Sequence, residues 1–323
     1  MALPKMPKIF IVVFFPVVAV ASVLFFCFQI FSLVARNRRG GGLPSHRRAG
    51  GYVRVREAGG EEALVRFPGG EALTVTAILQ APREVVAKSA HSTLFRAELS
   101  AGEAIALLRI VAPACAVGAM EAVAAARVLG AVRHANLVPI RAFYVSPRGE
   151  KLLVHPFHAA RSLRRFLQGL CSSTWKIICK LSIGIAKGLY HLHTASQIPI
   201  IHGNLKTNNI MLDADFQPRI SDFGHYLLLN PAAAKEMLET SAVQGYKAPE
   251  LIKMRDVTRE SDVYSLGVIM LKMLAQKVVQ NSEKEENLKA YNELATACCN
   301  PSPSSRPDTK EILKRLEDIQ DNS

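Results

Sequence analysis

The sequence predicts an α+β protein in which a small strand-rich lobe precedes a larger helical lobe, both behind a single membrane-spanning helix. Three observations lead there. An uncharged run occupies residues 9–35. Short β-like stretches punctuated by Pro and Gly begin at about Leu64. Beyond about residue 160 the apolar periodicity becomes helical.

The run IFIVVFFPVVAVASVLFFCFQIFSLVA holds 27 residues, more than the roughly 20 that span a bilayer core. A signal peptide's apolar core is shorter, about 7–15 residues, and no small-x-small cleavage site ends this one. A retained anchor is therefore expected. Lys5 and Lys8 precede it, while Arg36, Arg38, Arg39, Arg47 and Arg48 follow closely. The heavier positive flank places the residues after 35 in the cytoplasm. Residues 1–8 are then a short extracytoplasmic end, with no ectodomain in this chain.

Residues 36–63 are rich in Gly and Arg without apolar periodicity, and read as a juxtamembrane linker. Such a segment is drawn to anionic lipid by roughly 1 kcal/mol per basic residue near the surface. A solvated stop-transfer flank accounts for the same residues equally well. The first 60 residues supply +8 of the net +13, so the rest is nearly balanced. With no nucleic-acid-binding motif, a nucleic-acid partner is excluded. The six cysteines show no paired C-x-x-C spacing, which argues against zinc and for free thiols in a reducing compartment.

Strands are expected at EALVRF, LFRAEL, EAIALLRI and KLLVHPF, with one Ala-rich helix, EAVAAARVLGAV, among them. The helical part contains TWKIICKLSIGIAKGLYHLHTA, SDVYSLGVIMLKMLAQ, ENLKAYNELATACC and TKEILKRLEDI. The small lobe is set at 64–158, the large lobe at 159–319 and a tail at 320–323.

Four motifs then occur in order: HGNLKTNN, DFG, APE and DVYSLG, within IIHGNLKTNNIMLDADFQPRISDFG, GYKAPEL and SDVYSLGV. With NLVPIRAFYVSPRGEKLLV upstream, residues 64–319 resemble protein kinases, specifically plant receptor-like kinases of the leucine-rich-repeat class. The resemblance implies a bilobal protein-kinase-like fold, a cleft for ATP and Mg²⁺, and signalling at the plasma membrane.

Phosphoryl transfer depends on positioned charge around the phosphates, and the matching positions are degenerate. The glycine-rich loop maps onto VVAKSAHSTLF with Ala87, Ser89 and Ser92 at its glycine positions. Side chains there obstruct close approach of backbone N–H groups to phosphate. On the next strand, Ala106 belongs to the ATP site and Leu108 falls where the family has its lysine. Arg109, adjacent on an alternating strand, is expected to point away from the cleft. Lys88 or Arg96 could substitute from neighbouring strands.

The helix partner of that lysine maps to Ala125, with Glu121 one turn earlier. The catalytic loop reads His202, Gly203, Asn204, so no carboxylate stands ready for the substrate proton. Lys206 matches the family, as do Asn209 and Asp222, its Mg²⁺ ligands. Pro156 and His158 sit in the connection that would meet an adenine. Thr240 and Ser241, in the activation segment, read as plain loop residues, or as sites that a partner could phosphorylate. By contrast Asp262, Glu250 and Arg306 match positions that hold the fold together, and Leu129, His202 and Phe223 match the apolar stack between lobes.

A missing general base costs roughly 10²–10⁴-fold, and one missing electrostatic stabiliser roughly 10²–10³-fold. Even about 10⁴-fold combined takes a typical rate of about 1–100 s⁻¹ to 10⁻² s⁻¹ or lower. The expectation is a catalytically inactive receptor-like pseudokinase, acting as scaffold or allosteric partner of other membrane receptor kinases, with no required cofactor. The rival expectations are a weak Ser/Thr kinase and a nucleotide-binding switch without transfer.

Overall fold

The computed structural model describes residues 52–57, 60–99, 105–157, 161–169, 174–252, 256–275 and 285–322. The expected membrane helix at 9–35, the linker as far as residue 51, and His158 lie outside the described residues. No helix among the described residues is long and apolar enough to cross a membrane.

The small lobe is built on one antiparallel sheet. Its strands are β1 (Tyr52–Glu57), β2 (Gly60–Arg66), β3 (Arg83–Lys88), β4 (Ser92–Ala97), β5 (Ala106–Val111), β6 (Ala142–Val145) and β7 (Lys151–Pro156). They lie in the order β1-β2-β6-β7-β5-β4-β3. Helix α1 (Val75–Gln80), capped by Thr74, which accepts the Ala77 N–H at 3.1 Å, covers one face. Beneath it Leu64, Ile78, Leu108, Tyr144 and Val154 form a buried cluster.

The other face meets α2 (Ala119–Gly130). That helix buries Ala122, Ala126, Leu129 and Gly130, a stripe of helical period that the Ala-rich pattern foretold. Gly130 has a steric reason: a Cβ there would collide with the Phe67 ring.

The register of β5 corrects the expected cleft face. Leu108 lies opposite Phe95 and Val154, and Arg109 opposite Leu94 and Leu153. Ala106 and Leu108 belong to the cluster under α1 and do not line the cleft, whereas Leu107 and Arg109 do. Strand side chains have a period of two, so a one-residue slip exchanges the faces entirely. Arg109 therefore points into the cleft, contrary to expectation.

The large lobe comprises α3 (Leu163–Gln168), α4 (Trp175–Thr194), α5 (Pro231–Val243), α6 (Arg259–Ala275), α7 (Glu285–Cys298) and α8 (Thr309–Asp321). A small sheet adds β8 (Arg161–Ser162), β9 (Ile210–Leu212) and β10 (Pro218–Ile220) in the order β10-β9-β8. Helix α4 is the axle of this lobe, with Ile178, Leu181, Ile185 and Leu189 fully buried. Gly267 of α6 sits so close to Cys298 and Cys299 that a Cβ would stand 2.7 Å from each. Burial raises the Cys298 thiol to about 12 and the Cys299 thiol to about 11, as expected of packing cysteines rather than reactive ones.

Helix α5 replaces the loop expected around Thr240 and Ser241. Asn230 caps it, accepting the Ala233 N–H at 3.0 Å, and Pro231 opens its first turn. Three alanines then follow. Cap, leading proline and alanines are each helix-starting features. The lobes are joined through the α2–β6 connection, where Asn136 donates from Nδ2 to the Pro218 carbonyl at 2.9 Å, and Val138 N–H donates to Ile220 O at 2.9 Å.

Candidate functional site

A cleft of about 710 Å³ lies between the lobes. The β3–β4 turn contributes Ala87, Ser89 and Ser92, and β7 contributes Pro156. The large lobe contributes Asn204, Lys206, Asn209 and Asp222. These expected residues are brought together; Ala106 and Leu108 are not. His202 is fully buried and does not line the cleft.

The turn is stitched by its own serines. Ser89 N–H donates to Ser92 O at 2.9 Å, and Ser92 N–H donates to Ser89 Oγ at 3.1 Å. Two of the donors that a glycine-rich loop would turn toward a phosphate are thus engaged internally. Ser92 Oγ also accepts from Arg109 Nη1 at 3.2 Å.

Arg109 forms the dominant contact of the cleft. Its Nε donates to Asp222 Oδ1 at 3.1 Å and its Nη2 to Oδ2 at 2.7 Å. This two-pronged, charge-assisted arrangement engages both carboxylate oxygens. The two side chains are 15% and 14% exposed, so solvent screens the pair little. Burial pushes the Asp222 carboxyl up, but the Arg109 guanidinium more than offsets this and holds it below the usual range. On α2, Ala125 is half-buried and Glu121 is exposed, so no carboxylate stands on the inward stripe. The cation of β5 is held from the large lobe instead.

Asn204, at the place of the catalytic carboxylate, is tied down on two sides. Ser241 Oγ of α5 donates to its Oδ1 at 2.5 Å, and Asn209 Nδ2 donates to its carbonyl at 3.0 Å. Glu236, Met237 and Thr240 of the same helix line the cleft. Met237 and Ala233 pack with Leu229 and Val111, seating α5 against the end of β5.

The backbone behind Asn204 is held as the sequence implied. Asp262 accepts from His202 N–H at 2.7 Å and Gly203 N–H at 2.9 Å. Gly203 has φ +74°, and a Cβ there would lie 2.6 Å from the Tyr226 ring. The arginine that the family carries at this position is excluded by shape. Farther down, Arg306 grips both oxygens of Glu250 at 2.7 Å, again as expected.

Four buried histidines surround the ion pair: His91, His155, His202 and His225. Burial pushes all four below the usual imidazole value, His225 to about 3. They are neutral near pH 7. Among the described residues, His91 Nδ1 and His225 Nε2 make no hydrogen bond, each a cost of about 1–3 kcal/mol. They make no metal centre, since no cluster of three or more metal-ligating side chains occurs among the described residues.

The divalent cation that this fold implies requires Asp222 as a free oxygen donor. Both Asp222 oxygens are instead held by a guanidinium, whose positive charge stands at the same place. The residues present therefore do not fit a Mg²⁺ ion.

Reading the sequence missed three features of the site: Arg109, helix α5 and the histidine shell. Arg109 was findable, because ALLR places the apolar Leu108 on the core face and the cation on the other. The α5 helix was signalled by Asn230-Pro231 and the alanines. The histidines are scattered over 135 residues and carried no local signal.

Comparison with known proteins agrees with this fold. Residues 114–319 match the model of the protein kinase domain, starting downstream of β5. A kinase-like protein of Arabidopsis thaliana, TMKL1, is 34% identical over 80% of this chain and 44% of its own length. The leucine-rich repeat receptor-like protein kinase IMK3 of the same plant is 34% identical over 80% of this chain and 37% of its own. An Arabidopsis receptor kinase named as inactive is 28% identical over 75% of this chain and 43% of its own. The chain thus spans less than half the length of these relatives.

Among solved structures, the kinase domain of maize SIRK1 bound to AMP-PNP superposes with TM-score 0.72 at 24% identity, over 80% of this chain and 99% of that one. The pseudokinase domain of BIR2, an immune regulator, gives 0.62 at 23% identity, over 74% and 81%. With its bilobal architecture, its ordered motifs and these matches, the chain belongs to the protein kinase family and is similar to the receptor-like kinases of Arabidopsis, several of them named as inactive.

Proposed function

We propose that this protein is a pseudokinase that signals through shape and partners rather than by phosphoryl transfer. One observation carries the reading: Asp222, the carboxylate that would hold a metal-bound phosphate, is closed off by Arg109 through two hydrogen bonds. Asn204 cannot accept a proton as a carboxylate would, and it is pinned by Ser241 of α5. The uncharged run at 9–35 and its basic flank motivate a membrane anchor, with the kinase-like domain on the cytoplasmic side. At the plasma membrane it would serve as scaffold or allosteric partner for an active receptor-like kinase, with the basic linker touching anionic lipid.

The test is transfer of labelled phosphate from ATP to a generic basic substrate and to the protein itself, using the purified full chain. Transfer above background, abolished by Asp222→Ala, overturns the reading. Absence of transfer together with capture of an active receptor-like kinase supports it. A nucleotide-binding switch is a second reading, favoured by the size of the cleft and by the AMP-PNP held in the SIRK1 kinase domain.

A further inference from the structure

We propose that the Arg109 guanidinium stands permanently where a divalent cation would sit, so that the cleft takes a nucleoside polyphosphate in metal-free form, with Lys206 as its main phosphate contact. This deepens the non-catalytic reading and rests on it. The argument begins with the misfit described above. A metal-bound polyphosphate needs carboxylate oxygens on the protein side, and Asp222 has none to give while Arg109 holds it.

The charge of the cleft points the same way. Five cations line it, Lys88, Arg96, Arg109, Arg165 and Lys206, against two acids, Asp222 and Glu236. A surplus of positive charge favours the free polyphosphate over its less anionic metal complex. Arg109 is committed to Asp222, and Arg96 to Glu84 at 2.9 Å. Lys206 is different. It is half-buried beside Asp222, and its ammonium forms no hydrogen bond or ion pair with any described residue. Burial pushes its ammonium below the usual lysine value. An ammonium partly withdrawn from water, with a carboxylate nearby but no acceptor bonded to it, is placed to receive an anion.

Size and lining fit a small molecule. A volume of about 710 Å³ falls in the ordinary range for such sites, roughly 300–1,000 Å³. Leu94, Leu107, Val138 and Met211 give apolar walls for a flat ring system. The Ser89 and Ser92 N–H groups are bonded within the turn, which shifts the holding of the anion toward the side-chain cations.

The test is calorimetric titration of the full chain in detergent with ATP in excess EDTA, ATP with Mg²⁺, inorganic tripolyphosphate and adenosine. Expected is binding in EDTA that Mg²⁺ leaves unchanged or weakens, weaker binding of tripolyphosphate, and still weaker binding of adenosine. Lys206→Met should lower metal-free affinity about tenfold, the loss of one charge-assisted contact. Arg109→Leu, with its fold checked by circular dichroism, should free Asp222 and make binding Mg²⁺-dependent. Wild-type binding that requires Mg²⁺, no metal-free binding at millimolar ATP, adenosine binding as tightly as ATP, or an unaffected Lys206→Met would each overturn the proposal. If Arg109→Leu fails to fold, the wild-type and Lys206→Met titrations still decide it. Phosphate transfer in the same samples would refute the pseudokinase reading instead, a separable result.

Discussion

Two arginine–carboxylate pairs in this molecule share one chemistry and serve opposite ends. Arg306 and Glu250 lie deep in the large lobe, with side chains 0% and 10% exposed, where the family's motifs place a structural strut. Arg109 and Asp222 bridge the lobes across the cleft, where the family keeps a reactive carboxylate open. The first pair preserves the fold; the second occupies the centre of the chemistry. Residues that organise the large lobe, Asp262 among them, are intact, while the glycine-rich loop and the catalytic carboxylate are replaced and the retained Asp222 is bonded to Arg109. The cleft is degenerate as a catalyst, yet Arg109 and Asp222 tie its two sides together.

The comparison breaks most sharply at Arg306. Arg306→Ala should leave Glu250 buried without a partner and destabilise the domain by about 3–5 kcal/mol. Urea unfolding of the variant measures this. A loss under about 1 kcal/mol would mean that the strut is dispensable.

Arg109→Leu should cost less, about 2–3 kcal/mol, because its side chains are more open to water. The informative variant is the double change with Asp222→Leu. Removing both charges should recover most of the loss, giving a coupling energy of about 1–3 kcal/mol. Additive losses would show that Arg109 and Asp222 are neighbours without being partners.

How much of this was legible beforehand differs between the lobes for a physical reason. The large lobe is read from contiguous motifs, and Asp262, Glu250 and Arg306 fall where those motifs put them. The small lobe depends on strand register, where one residue decides a face. Placing Leu108 in the cleft put Arg109 outside it, and the hydrogen bonds from Arg109 to Ser92 and Asp222 then had no basis. The α5 helix carries little apolar periodicity, so its place in the activation segment suggests a loop, although Asn230-Pro231 marks a helix start. The histidine shell exists only in three dimensions.

That shell sharpens the comparison through pH. A histidine held neutral by burial binds no proton in the folded state but does so unfolded, below its ordinary value near 6.5. Above that value neither state is protonated and nothing is lost. As pH falls from about 6.5 toward the folded value, about 3 for His225, stability should drop by ~1.4 kcal/mol per pH unit per histidine. Asp222, held low, loses its contribution only below about pH 4. Chemical denaturation between pH 7 and 5 (well above the carboxylate window) should therefore show declining stability, and His225→Gln should flatten the slope. An unchanged slope would remove His225 from the account.

The smallest effect is expected where a catalytic residue is restored. Asn204→Asp supplies the missing carboxylate, and its oxygen can still accept the Ser241 hydroxyl that Asn204 Oδ1 accepts now. Stability should change by less than about 1 kcal/mol. Phosphate transfer should stay at background, because Arg109 still closes Asp222 and the Ser89 and Ser92 N–H groups stay bonded within the turn. Measured transfer by this variant alone would show that the general base was the sole deficiency, and that the Arg109–Asp222 pair opens readily when ATP arrives.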